Sequence, residues 1–105
     1  MLGVSFHVGS QCLDPLAWRD ALALTGQVIR AAGVAIDVVD VGGGFPVNYP
    51  DQQAPPLGAF FAEIQEGFDA LGLPRARLWA EPGRALVAAG ASVVVQVQAR
   101  RGDAL

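Results

Sequence analysis

The chain has 105 residues and a net charge of −3, with 52% apolar and 16% charged residues, which fits one small globular domain and excludes a disordered polar chain. All seven cations are arginine and none is lysine. They form no basic patch, so a nucleic-acid surface is excluded.

Val4 to Val8 predicts a short buried strand that ends at Gly9. Asp14-Pro15 predicts a helix start, with Asp14 as N-cap and Pro15 in the first turn. That helix is expected to run to Ala32 and stop at Gly33. Leu16, Trp18, Leu22, Val28 and Ile29 are its expected buried stripe. Gly26 inside it is expected to mark close packing of helix on sheet. Val34 to Val41 is nearly continuous in Val and Ile, as in a parallel strand covered on both faces. A loop rich in Gly, Pro and Asn follows, from Gly42 to Pro56. Leu57 to Leu71 predicts a second helix, with Phe60, Phe61, Ile64, Phe68 and Leu71 at helical spacing. Gly72 and Pro74 end it. Leu78 to Ala80 begins a third strand, and Ala85 to Ala89 a helical turn. Trp18, Trp79 and the phenylalanines are expected in the core. Val93, Val95 and Val97 alternate with Val94, Gln96 and Gln98, which predicts a strand of different character, with one wetter face.

The order β-α-β-α-β implies parallel strands with right-handed crossovers. Three strands and two helices do not close a barrel, so the chain reads as a fragment with a domain change near Gly90. Ala85 to Val95, the longest nearly apolar stretch, is shorter than the roughly 18 residues of a spanning helix, and no membrane partner is expected. No cationic segment with a cleavage site opens the chain, so no signal peptide is expected. Cys12 stands alone, which suits a reducing, cytoplasmic setting and a packing role. One histidine, one cysteine and no ligand-spaced pair argue against a metal site.

Three motifs sit where the predicted strands end. Phe6-His7-Val8-Gly9-Ser10 offers an imidazole that can stack on a flat ring and a hydroxyl that can donate to an anion. A histidine in an apolar strand is otherwise a satisfied core residue. Asp40-Val41-Gly42-Gly43-Gly44-Phe45-Pro46 follows a buried strand directly. Three glycines allow positive φ and can present successive N–H groups to a phosphate, or simply turn a tight loop. Neither the dinucleotide fingerprint nor the lysine-requiring P-loop is matched. Asp40 is expected to tie down the glycine loop, with Phe45 and Pro46 shaping it. Glu81-Pro82-Gly83-Arg84 puts a carboxylate at the end of an apolar strand, where it needs a cation. That cation is either Arg84, in a plain ion pair, or a ligand nitrogen. Together the motifs suit a planar, cationic, phosphorylated heteroaromatic.

With these residues in hand, the chain resembles the fold-type III pyridoxal-phosphate decarboxylases of ornithine and lysine. Gly3 to Gln11, Asp40 to Pro46 and Glu81 to Arg84 match that family in order and spacing. The resemblance implies the last units of a (β/α)8 TIM barrel over residues 1–89, then the start of a β-domain over 90–105. It implies that His7 stacks on pyridoxal 5'-phosphate. Ser10, Gly42, Gly43, Gly44, Gly83 and Arg84 then serve the phosphate, and Glu81 the pyridine nitrogen. His7 and Glu81 are the catalytic expectations. The family's cofactor-anchoring lysine lies on an early strand that is not in this sequence, so these 105 residues alone are expected to be inactive. The implied parent is a homodimer that acts on an amino acid in polyamine biosynthesis. Diaminopimelate and arginine decarboxylases are the alternative branches. Two further alternatives are a non-catalytic regulatory homologue and a phosphate-binding barrel enzyme without pyridoxal phosphate.

Overall fold

The computed structural model describes residues 1–102. Its elements run β1 (Gly3–Ser5), α1 (Leu16–Ala32), β2 (Val38–Asp40), α2 (Leu57–Ala70), β3 (Arg77–Trp79) and α3 (Arg84–Val87). The strands form one parallel sheet in the order β1-β2-β3. Val4, Val39 and Leu78 lie abreast in register, as do Ser5, Asp40 and Trp79. Because side chains alternate along a strand, these two rows face opposite sides of the sheet.

The Val4–Val39–Leu78 face joins a core with Trp18 and Leu22 of α1 and with Phe60 and Ile64 of α2. Both crossover helices therefore cover the same face. That is the singly wound arrangement of a barrel wall; a doubly wound sheet has helices on both faces. On the other face the outer strands' Gly3, Ser5, Arg77 and Trp79 are exposed, while Val38 and Asp40 of the central strand are buried and half-buried. Trp79 is 46% exposed, with the Arg77 guanidinium 5.6 Å from its ring centre. Its expected place in the core is thus corrected by its register: it points away from both helices.

Local chemistry sets the helix ends. Asp14 Oδ1 accepts the Leu16 N–H at 3.0 Å, and Pro15 has helical φ and ψ of −59° and −30°. Asp14 thus caps the helix and Pro15 opens it, as the sequence predicts. Gly33 ends α1 at φ 65°, donating its N–H to Ile29 O. The buried stripe of α1 is Trp18, Leu22, Thr25, Gly26 and Ile29. Leu16 and Val28 are 49% and 54% exposed. The stripe is rotated because Thr25 is small and returns its hydroxyl to Ala21 O at 2.8 Å, so it can face inward. Phe61 of α2 is likewise more than half exposed, at the edge of the core with its ring centre 5.9 Å from that of Phe45.

The first two strands are shorter than predicted, and the third begins one residue earlier. Pairing begins at Leu2 O, which accepts the Asp37 N–H, and Asp37 O accepts from Arg77. Val34 to Ile36 lie before those first partners. Phe6 to Val8 and Ala80 pass beyond the sheet into the loops described below. Among the described residues Val93 to Gln98 form no strand, and Val93, Val94 and Val95 are each more than three-quarters exposed. A ladder needs a neighbour, and no described strand runs beside them. Residues 103–105 of the predicted second domain lie outside the described residues.

Glycines set the α1–α2 contact. A Cβ on Gly67 would lie 2.8 Å from Leu22 Cδ1, 3.3 Å from Leu22 Cβ and 3.5 Å from Arg19 Cα. A Cβ on Gly26 would meet Leu71 Cδ2 at 2.8 Å and Arg30 Nη1 at 3.2 Å, both ends of flexible chains. Gly26 therefore answers to the end of α2 rather than to the sheet. Arg19 also spans the helices, pairing with Glu63 at 2.5 Å and with Glu66. Both glycines gain about 1 kcal/mol of helix propensity on substitution by alanine. The difference between the two alanine variants therefore isolates packing. Gly67→Ala is expected to be less stable than Gly26→Ala by about 1–3 kcal/mol, read from urea midpoints. Equal midpoints would show that Leu22 yields freely.

Candidate functional site

The hydrogen-bond ladder continues past the strand ends. Phe6 N–H donates to Asp40 O at 3.1 Å, Val41 N–H to Trp79 O at 2.9 Å, and Glu81 N–H to Gly42 O at 2.8 Å. Two residues beyond the Ser5–Asp40–Trp79 row, His7, Gly42 and Glu81 come abreast. A parallel sheet puts all its strand ends on one side, so the three motifs converge there.

Convergence is close enough to forbid side chains on the middle chain. Gly42 has φ 66°, and a Cβ there would lie 2.1 Å from Phe6 O and 3.3 Å from His7 Cα. At Gly43 it would lie 2.7 Å from Glu81 O and 3.3 Å from His7 Nε2. Gly44 has φ 102°, and its Cβ would meet Gly9 O at 2.3 Å. The bend is thus wedged between the other two motifs. Phe45 secures it from below, 2% exposed and stacked on Trp18 with ring centres 4.9 Å apart. Trp18 Nε1 in turn donates to Val41 O at 3.3 Å.

Asp40 has the structural role predicted for it: its Oδ1 accepts the Gly42 N–H at 2.9 Å. Gly42 therefore shapes the bend rather than offering its N–H. The Gly43 and Gly44 N–H groups have no protein acceptor among the described residues. Gly44 O accepts the Cys12 N–H at 2.9 Å, which closes the first loop onto the bend. His7 is exposed, and its Nδ1 accepts the Gly9 N–H at 3.0 Å. That bond fixes the ring and leaves the proton of the neutral imidazole on Nε2. Ser10 and Gly83 are exposed, with no protein atom within 4 Å of a Cβ on Gly83.

Glu81 and Arg84 do not pair. The Glu81 carboxylate is exposed and has no partner among the described residues. Arg84, half-buried, directs Nη1 to Gln11 Oε1 and to Tyr49 Oη, each at 3.3 Å. The plain ion-pair explanation of the third motif is therefore set aside. Gln11 and Tyr49 are site residues that the motif reading passed over. Gln11 adjoins the first motif, yet nothing in a glutamine's chemistry signals a hub. Tyr49 lies in a loop whose path the sequence leaves open.

The model of the pyridoxal-dependent decarboxylase pyridoxal-binding domain matches residues 1–88. The chain belongs to the pyridoxal-dependent decarboxylase family. It is 32% identical over 101 residues to the diaminopimelate decarboxylase of Neisseria meningitidis serogroup B, covering 93% of this chain and 24% of that protein. It is 35% identical over 99 residues to the lysine/ornithine decarboxylase of Selenomonas ruminantium, covering 91% and 25%. The Vibrio vulnificus lysine/ornithine decarboxylase, solved with putrescine, superimposes with a TM-score of 0.69 at 41% identity. That match covers 78% of this chain and 23% of the other. The chain thus spans about a quarter of the length of the curated relatives it matches.

The residues present suit the family's cofactor. Gly43, in contact range of the imidazole and of the Glu81 backbone, leaves a cradle that any Cβ would fill. Unused N–H groups, a half-buried guanidinium and an unpaired carboxylate provide donors for a phosphate and an acceptor for a ring N–H. Gly42→Ala is expected to cost about 3 kcal/mol or more, since left-handed backbone and a backbone clash combine. Gly9→Ala, at φ 106° with nothing within 4 Å of its Cβ, should cost about 1–2 kcal/mol. Chemical denaturation of both variants measures the contrast; a Gly42→Ala midpoint like the unsubstituted protein's would remove the close-approach argument.

Proposed function

We propose that this chain forms the last strand–helix units of a pyridoxal-phosphate barrel, with residues from about Gly90 entering a second, β-rich domain. The protein that contains it decarboxylates ornithine or lysine, as a homodimer in the cytoplasm. The observation that carries this is the meeting of His7, Gly43 and Glu81 at one end of a singly wound parallel sheet. Membership of the family supports the cofactor and the carboxy-lyase chemistry. The wording of the motifs around His7 and Gly44 supports ornithine or lysine over diaminopimelate or arginine. The isolated thiol of Cys12, bonded to Asp14 O, supports a reducing compartment.

In this reading the bound cofactor supplies an electron sink for the pair left behind when the substrate carboxylate departs as CO2. The chain's own residues hold and orient it. The Gly43 and Gly44 N–H groups and the Ser10 hydroxyl donate to phosphate oxygens. Gly83 lets backbone approach the same end, and Arg84 adds positive charge there. His7 offers the flat face of a ring already fixed by Gly9. Glu81 accepts from the pyridine N–H and holds the proton on that nitrogen, which keeps the ring electron-poor.

Purified in full, the protein is expected to absorb in the visible with pyridoxal phosphate and to release CO2 from ornithine or lysine. Glu81→Ala should lower kcat by about 10²-fold or more while cofactor affinity changes by less than about tenfold. Unchanged turnover in that variant would deny Glu81 its role. Cofactor binding without CO2 from any basic amino acid would point instead to the non-catalytic homologue. Failure to bind the cofactor would leave the phosphate-binding barrel.

A further inference from the structure

Gln11 is the one residue other than glycine with a left-handed backbone among the described residues, at φ 55°. Glutamine gains nothing locally from that conformation, and glycine would adopt it without strain. Its side chain shows what is gained. Nε2 donates to Val47 O at 2.6 Å and to Gln52 Oε1 at 2.8 Å. Oε1 accepts from Val47 N–H at 3.1 Å and from Arg84 Nη1 at 3.3 Å. Two donors and two acceptor sites are thus all used, the full capacity of an amide. One side chain joins three separate segments: the loop after β1, the long loop after the glycines, and the start of α3.

The consequence falls on Arg84. Its Nη1 is held between Gln11 Oε1 and Tyr49 Oη, while Nε and Nη2 have no protein partner among the described residues. A guanidinium anchored through one nitrogen keeps its remaining donors aimed as a planar fork. Without that anchor the unpaired Glu81 carboxylate, three residues earlier, is the competing partner.

We propose that Gln11 is a positioning residue: it holds Arg84 away from Glu81 and toward the phosphate end of the site. The proposal rests on the cofactor reading above and adds a residue to which that reading gives no role. Gln11 touches no cofactor itself; it acts through the guanidinium.

The test compares pyridoxal phosphate with pyridoxal, which lacks the phosphate, by equilibrium binding to the full-length apoprotein. The unsubstituted protein is expected to prefer pyridoxal phosphate by about 10²-fold or more. Gln11→Gly keeps the left-handed backbone without strain but gives up four hydrogen bonds, so it is expected to melt lower, and binding is compared below its melting temperature. It should lose about tenfold in affinity for pyridoxal phosphate and less than twofold for pyridoxal. In an Arg84→Ala background, Gln11→Gly should add less than twofold, because its effect passes through Arg84. Gln11→Asn also tolerates positive φ but is one methylene shorter, and supplies the same comparison if the glycine variant does not fold. Equal weakening of both ligands, or a full tenfold loss without Arg84, would make Gln11 merely structural and overturn the proposal. An unchanged preference in Gln11→Gly would also overturn it. An unsubstituted protein that does not distinguish the two ligands would instead defeat the cofactor reading.

Discussion

Everything at the functional end depends on one close backbone approach: the triple-glycine bend inserted between the chains that follow β1 and β3. Parallel register brings His7, Gly42 and Glu81 abreast, and the ladder bonds at Phe6, Val41 and Glu81 hold the three chains at strand spacing. At that spacing the central chain can turn back only if it carries no side chains. Hypothetical Cβ atoms at Gly42 and Gly44 fall 2.1 and 2.3 Å from the carbonyl oxygens of Phe6 and Gly9, far inside contact. The glycines are therefore demanded by neighbouring backbone before any ligand is considered. What a ligand would meet, the unused N–H groups of Gly43 and Gly44, is a consequence of that packing.

The helices matter to the site chiefly through Trp18. It is fully buried and stacks on Phe45 directly after the glycines. It meets Phe60 of α2 edge-on at 5.4 Å and donates its indole N–H to the carbonyl of Val41, just past β2. One aromatic residue thus couples both helices to the root of the bend. Aromatic pairs of this kind contribute about 0.5–1.5 kcal/mol beyond the area they bury. Rigid support lies beneath the bend, and the exposed His7 and Glu81 side chains lie above it. Stability and chemistry use opposite sides of the same few residues.

How much of this could be read from the sequence depended on whether the signal was local. The capping of α1 by Asp14, its stop at Gly33 and the glycine bend were legible, because each rests on the conformational preference of one residue type. The parallel order was legible because strands and helices alternate. Strand lengths were not, since pairing at Asp37 and Arg77 depends on partners distant in sequence. Leu16, Val28 and Trp79 look like core by composition, but their helical phase or strand register turns them outward. Val93 to Gln98 carry a clear period of two, yet a pattern cannot supply the neighbouring strand that a ladder needs. Gln11 was the least legible: its left-handed backbone runs against its type, and four bonds to residues 47, 52 and 84 hold it there.

Glu81 and Arg84 follow one another closely on the third motif without pairing. Two opposite charges three residues apart on a turn would ordinarily neutralise each other, at a gain of up to about 1 kcal/mol for an exposed pair. Here the guanidinium is drawn off by Gln11 and Tyr49, and the carboxylate stands without a partner. Unpaired, the two groups stay available separately, one as an acceptor and one as a cationic donor. A ligand that is cationic at a ring nitrogen and anionic at a phosphate would match those charges in one orientation and oppose them when turned end for end. A closed Glu81–Arg84 pair would have removed the distinction. Under the proposed function, that charge pattern would set the orientation of the bound cofactor, with the uncharged Gln11 amide competing for the arginine.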